Sequence, residues 1–206
     1  MEALNKKLFN AAKSGDLKAA EDCLRNGADV HYRDGWKEET PLHVALENNH
    51  KDMAAFLLSK GADIKIQYNF DLLNAAKSGD LKAVEKSLEN GVNVNCTDEY
   101  GYTPLHWAAW GGFVDVASLL ISKGADIQSQ DYRKDTPLHW AAHGGFVDVA
   151  SLLISKGADI HSQGDEGRTA MDVAEGKANI LLQLVESGVN VSHALEAAKH
   201  CDSLTE

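Results

Sequence analysis

His43, His106 and His139 each stand fourth in a Thr-Pro-Leu-His run, and so regular a recurrence invites a catalytic or metal-binding reading. The surrounding residues do not support one. The chain contains no HExxH, no CxxC, no GxGxxG and no GxxxxGK[ST]. It has no GxSxG nucleophile elbow either. Its three cysteines, Cys23, Cys96 and Cys201, are far apart and odd in number, which makes neither a metal pair nor a disulfide framework. Apolar residues at helical spacing surround Cys23, so it reads as a small buried hydrophobe, and the set suits a reducing compartment. Asp29, Asp63, Asp126 and Asp159 recur after Gly-Ala, or Lys-Gly-Ala, as turn residues rather than acid/base pairs. No catalytic group, metal ligand set or cofactor is expected; the chain reads as a non-enzyme.

The aromatic residues carry more information. Trp107 and Trp110 are three apart, so on a helix they point the same way. Trp140 and His143 hold the matching positions one repeat later. Tyr100 and Tyr102 precede Thr103, while Tyr132, Arg133 and Asp135 precede Thr136. Trp36 lies in the equivalent stretch before Thr40. Trp, Tyr and Arg dominate binding hot spots because they bury large rigid surfaces. These ten residues are the candidate partner-binding set, and Trp107 and Trp140 could equally be half-buried between adjacent helices. Stacked rings could also hold single-stranded bases. That needs a basic stripe, and Arg133 and Lys134 are outweighed by Asp98, Glu99, Asp131 and Asp135.

The elements that must position these residues come from internal repetition. Thr103–Ile127 and Thr136–Ile160 differ at one position, Trp110 against His143, and are offset by 33 residues. Looser copies begin at Thr40 and Thr169, and closing glycines fall at positions 27, 61, 91, 124, 157 and 188. Each unit reads as two short antiparallel helices and a loop. Thr103 is a good N-cap, Pro104 suits the first helical position, and all three prolines (Pro41, Pro104, Pro137) occupy that slot. Leu105, Ala108 and Ala109 share one face, and Gly111-Gly112 ends the first helix. Val114, Val116, Ala117, Leu119, Leu120 and Ile121 give the second helix a broad apolar face, and Gly124 closes it in a left-handed conformation.

The TPLHxA run, the closing GAD and the period resemble the ankyrin repeat, from about Leu4 to Val191. The resemblance implies an all-α ankyrin-repeat solenoid of about six helix-turn-helix repeats with protruding hairpin-like loops. As one domain over 1–206, the repeats fall at about 4–34, 35–67, 68–98, 99–131, 132–164 and 165–191. A capping or truncated helix follows at 192–206. By the same resemblance, the TPLH histidines link neighbouring turns by hydrogen bonds, and partners bind the loop tips and the exposed face of each first helix. His31 and His161 are four repeats apart in such an array and cannot share a metal.

Repeats 1 and 3 depart from the pattern: both carry NAAKSGDLKA, at Asn10–Ala19 and Asn74–Ala83, in place of Thr-Pro-Leu-His. A polar outer repeat is expected at an end of a solenoid and is unusual inside it. Repeat 3 is therefore predicted to mark a weak joint between repeats 1–2 and 4–6. Repeat 6 has Ala170 and Asp172 in place of Pro and His and reads as a degenerate terminal repeat.

The composition bounds the rest. With 44% hydrophobic and 25% charged residues the chain is an ordinary globular sequence. A formal charge of −11 disfavours nucleic acid and favours a partner protein with a basic or amphipathic face. No apolar run approaches the length of a membrane span, and the N-terminal stretch has no continuous apolar region. A cytoplasmic site of action is expected, with export into a host cell left open. The function expected is a non-catalytic, monomeric protein-interaction module, used as a scaffold or a host-directed effector. The alternatives are a self-associating structural scaffold and a regulatory subunit or inhibitor of an enzyme.

Overall fold

Thr103, Pro104 and His106 start a helix by satisfying one another. The Thr103 amide donates to His106 Nδ1 at 3.1 Å, and the His106 amide donates back to Thr103 Oγ1 at 3.3 Å. Two donors that no helical carbonyl can reach are thereby paired, and Pro104 has no N–H to pair. Thr136 and His139 repeat the arrangement, and in repeat 2 the His43 amide donates to Thr40 Oγ1 at 3.2 Å.

The computed structural model describes residues 1–34, 39–98 and 100–201, with the backbone alone at 66 and 67. Twelve α-helices lie among them. They are α1 (Glu2–Ser14), α2 (Leu17–Arg25), α3 (Pro41–Glu47), α4 (Lys51–Ser59), α5 (Ile64–Ser78) and α6 (Leu81–Glu89). They continue with α7 (Pro104–Trp110), α8 (Val114–Ser122), α9 (Pro137–His143), α10 (Val147–Ser155), α11 (Gly176–Glu186) and α12 (Val191–His200).

Two compact units divide the chain, Met1–Tyr68 and Asn69–Glu206, and the boundary falls inside α5. In the first unit α1 packs on α2 and α3, and α3 on α4, around Leu8, Ala12, Leu42, Ala45, Met53 and Leu57. In the second unit α7 lies beside α9, and α6, α8 and α10 form the adjoining layer. Leu72, Leu105, Leu120, Leu138, Leu153 and Leu181 fill its core with Ala108, Ala109, Ala141 and Ala142, whose small side chains let the helices approach.

Helix pairs are present in repeats 1 to 5, with departures from the expected pattern at the start of repeat 3 and in repeat 6. After repeat 2 the chain enters α5 at Ile64 without a hairpin, so a fifteen-residue helix replaces loop and first helix together. The local difference is that Ile64–Asn74 contains neither Thr-Pro nor glycine. In repeat 6, Thr169–Val173 forms a turn rather than a helix. Asp172, standing where histidine stands in repeats 4 and 5, accepts both the amide and the hydroxyl of Thr169, at 2.7 and 2.8 Å. With no proline to preset the first turn, that closed knot ends the segment, and the second helix, α11, begins early and runs eleven residues instead of nine. The C-terminal helix α12 packs against α10 and α11, burying Ala194 and Ala198 and pairing Lys199 with Asp148.

The remaining turn residues behave as their type demands. Asp29, Asp63, Asp126 and Asp159 each accept the amide two residues on, at 2.8–2.9 Å. Cys23 and Cys96 are buried and Cys201 is exposed, and no disulfide occurs among the described residues.

Candidate partner-docking site

The site is built outward from two loop carboxylates. Asp98 Oδ1 accepts the amides of Tyr100 and Tyr102, at 3.0 and 2.9 Å, which closes the loop ahead of α7. Its other oxygen accepts the Trp107 indole N–H at 3.2 Å. One repeat later Asp131 does the same: Oδ1 takes the amides of Arg133 and Asp135 at 2.7 and 3.0 Å, and Oδ2 takes the Trp140 indole at 3.0 Å. Each carboxylate therefore ties its loop to its helix. The loops are also tied to each other, by the Tyr132 amide donating to the Tyr100 carbonyl at 3.0 Å.

On this frame the rings form one ribbon. Tyr102 is its hub, with edge-to-face contacts to Trp140 at 5.0 Å and Trp107 at 5.2 Å between centroids, and further contacts to Tyr100 and Tyr132. Trp140 meets Trp110 edge-on at 5.4 Å, and Trp110 stacks with His143 at 6.4 Å. Such geometries complement the ring quadrupoles and add to the area that each ring buries. Burial first, and then the neighbouring Tyr132 hydroxyl, push the Tyr102 phenol well above its ordinary pKa.

The members differ in what they leave for a partner. Tyr132, Tyr100 and Trp110 remain 57%, 52% and 43% exposed. Arg133 is exposed and lies along Tyr132, its Nε donating to the phenolic oxygen at 2.6 Å. His143 is exposed, with Nδ1 3.7 Å from the Glu175 carboxylate. Trp107, Trp140 and Tyr102 are half-buried. Asp135 is half-buried too, its carboxylate accepting the Asp165 amide of the next loop at 3.2 Å. Trp36 lies outside the described residues.

Three groups that the sequence reading did not assign to the site belong to it. Asp98 and Asp131 entered only as negative charge, although each stands five residues before a Thr-Pro, and that shared register was the available signal. Lys77, from α5, places its ammonium 4.3 Å above the Trp107 ring, so the cations near the strip are not confined to Arg133 and Lys134. No motif marks Lys77, because only packing of one repeat on the next brings it there.

The TPLH histidines serve the frame. His106 is 1% exposed; its Nδ1 accepts from Thr103, so the proton sits on Nε2 and is donated to the Asp135 carbonyl at 3.0 Å. His139 reaches the Arg168 carbonyl at 3.1 Å in the same way.

A family profile described as ankyrin repeats in many copies matches residues 8–67 and 72–121, and one described as ankyrin repeats in three copies matches 127–194. The chain belongs to the ankyrin-repeat family. Ankyrin repeats are generally protein–protein interaction modules. An ankyrin repeat protein of fowlpox virus is 36% identical over 107 residues, which cover 52% of this chain and 75% of the viral one. Human ankyrin repeat and SOCS box protein 6 is 31% identical over 109 residues, 50% of this chain and 26% of that protein. Human protein phosphatase 1 regulatory subunit 27 is 43% identical over 58 residues, 27% of this chain and 36% of its own length. The ankyrin chain thus spans most of the viral relative but only about a quarter of the SOCS-box protein. Among the described residues no helix is long and apolar enough to cross a membrane.

Proposed function

We propose that the chain is a non-catalytic docking protein that grips a partner protein with the aromatic ribbon of repeats 4 and 5. The observation that carries the reading is that three exposed rings, Tyr100, Tyr132 and Trp110, are continuous through Tyr102 and Trp140 at centroid separations of 5.0–6.0 Å. A preorganised ribbon loses little entropy when it is covered, which favours affinity. Truncating a well-buried aromatic anchor typically costs about 2 kcal/mol of binding or more.

The ring faces accept cations: Lys77 lies over Trp107, and the Arg133 guanidinium lies 5.2 Å from the Tyr132 ring. With a net charge of −11, this favours a partner segment that is basic or amphipathic, and disfavours nucleic acid. The names of two relatives, a SOCS-box protein and a phosphatase regulatory subunit, accord with ankyrin repeats acting as the recognition part of a larger regulatory machine. Free thiols at Cys23, Cys96 and Cys201 accord with action in a reducing, cytoplasmic setting.

The test compares capture of lysate proteins by the intact chain and by a Tyr100/Trp110/Tyr132→Ala variant, with circular dichroism verifying the fold of both. Loss of a captured protein by the variant supports the ribbon as the working surface. A Trp140→Ala control should lose stability as well, since that ring is half-buried. Identical capture by intact and triple-variant chains refutes the proposal. A light-scattering mass above 22.3 kDa that falls in the triple variant would turn it into self-association.

A further inference from the structure

We propose that Glu39, His43 and Glu47 form a binding site for a divalent transition-metal ion of the zinc class. His43 and Glu47 are four apart on α3 and so share a face, while Glu39 stands just ahead of the Thr40 cap, in the bridge to Asp34. Their ligand atoms all lie within 4.8 Å of one another. Zinc bonds of about 2.0–2.2 Å to nitrogen and carboxylate oxygen call for donors roughly 3.5 Å apart. The donors, up to 4.8 Å apart, would therefore have to close by about 1 Å around an ion. Backbone anchors hold the set in place: the Glu39 carbonyl accepts the Asp34 amide at 2.9 Å, and Thr40 caps the His43 amide.

Comparison within the chain sets this cluster apart from its equivalents. The same register positions hold Tyr102, His106 and Trp110 in repeat 4, and Asp135, His139 and His143 in repeat 5. There the central histidine is buried and reaches a carbonyl of the next hairpin loop. His43 is half-buried. Repeat 2 flanks its histidine with a carboxylate on each side, and two negative charges beside an imidazole favour a cation. One nitrogen and two oxygens without thiolate suit zinc, cobalt or nickel, whereas calcium and magnesium call for all-oxygen shells of higher coordination. Three protein ligands leave a fourth position for water or a partner side chain. The structure thus places a metal-type donor set where the sequence alone argued for none.

The deciding experiment titrates the full-length chain with Co²⁺, read by visible absorption, and then displaces it with Zn²⁺. One ion should bind per chain, unaffected by excess Mg²⁺ or Ca²⁺ and without a thiolate-to-cobalt charge-transfer band. Glu39→Gln and Glu47→Gln should each weaken binding by about tenfold or more, since loss of a mere outer-shell partner already does that. A His200→Ala/Cys201→Ser variant removes a neighbouring pair of metal-type donors outside the cluster and should bind as the intact chain does. Circular dichroism of each variant keeps unfolding from passing as lost binding. No saturable uptake, uptake indifferent to both glutamate changes, or a thiolate band that vanishes with Cys201 would each overturn the site; in those cases the cluster is an imidazole–carboxylate group without a metal.

Discussion

Trp140 donates its indole N–H to Asp131 at 3.0 Å, and the same carboxylate closes the loop ahead of α9. A ring of the aromatic ribbon and the loop beside it are therefore positioned by one buried acid, and Trp107 with Asp98 repeats the relationship at 3.2 Å. Asp131 is 6% exposed, so its replacement strands three donors at once. Hydrogen bonds to a charged group contribute about 1.5–3 kcal/mol each when one partner is removed. Asp131→Ala is expected to lower unfolding stability by about 4 kcal/mol or more and to shift tryptophan emission to the red, both followed in a urea titration. A loss below about 0.5 kcal/mol would mean that the carboxylate is dispensable to the ribbon.

Much of this frame is legible in the sequence, because local chemistry decides it. Thr103-Pro104 and Gly124 start and stop helices by mechanisms confined to one turn, so the sequence suffices. The aromatic strip was legible because near-identical repeats place Trp107 and Trp140 in register. Lys77 over Trp107 and Glu39 beside His43 are not, since the first depends on how one repeat packs on the next, and the second on where the bridge to Asp34 sets Glu39 ahead of α3. The missing first helix of repeat 6 fell between these cases. Asp172 was visible as a departure, but the closed pairing with Thr169 that ends the turn is a matter of geometry.

Packing between successive repeats is set at Gly79, where φ is +74° and an added Cβ would lie 2.6 Å from the Phe113 ring. Left-handed backbone costs an L-residue roughly 1–2 kcal/mol, and the ring must also be displaced. Gly79→Ala is therefore expected to destabilise the second unit by about 2–3 kcal/mol. Gly124→Ala serves as the comparison: its φ is +89° but nothing lies within 4 Å of the added Cβ. The difference between their urea midpoints isolates the contact with Phe113, and equal midpoints would deny it.

Two buried groups set opposite pH limits. Burial lowers the pKa of His106, so the folded chain resists the proton that the unfolded chain accepts. Its contribution is complete above about pH 6.5 and declines as pH falls through the lowered value. Burial raises the Cys96 thiol from 9.0 to about 11, so its contribution is complete below 9 and is lost as pH rises towards 11, on the order of 2 kcal/mol in all. Urea midpoints should accordingly fall on both sides of a neutral plateau. Near pH 8 a thiol reagent should modify exposed Cys201 promptly and Cys96 only as the chain unfolds. Prompt labelling of two or three thiols in the folded chain would contradict this burial.

Unfolding should occur in two steps, because the buried apolar residues form two separate clusters. One runs from Leu8 to Ala62 and the other from Leu72 to Ala198, with the division between Tyr68 and Asn69 inside α5. The joint expected at repeat 3 would then lie at its leading edge, where a helix has replaced the hairpin. A solenoid is stabilised by each repeat on its neighbour, so the unit with fewer repeats has fewer interfaces to hold it. Met1–Tyr68 is therefore expected to melt first. The tryptophans allow the steps to be separated: Trp36 belongs to the first unit by position, and Trp107, Trp110 and Trp140 to the second. In a Trp36→Phe chain, emission follows the second unit alone while far-ultraviolet circular dichroism follows both. The dichroism should begin to fall at lower urea than the emission. Superposable curves would show one cooperative array and remove the joint.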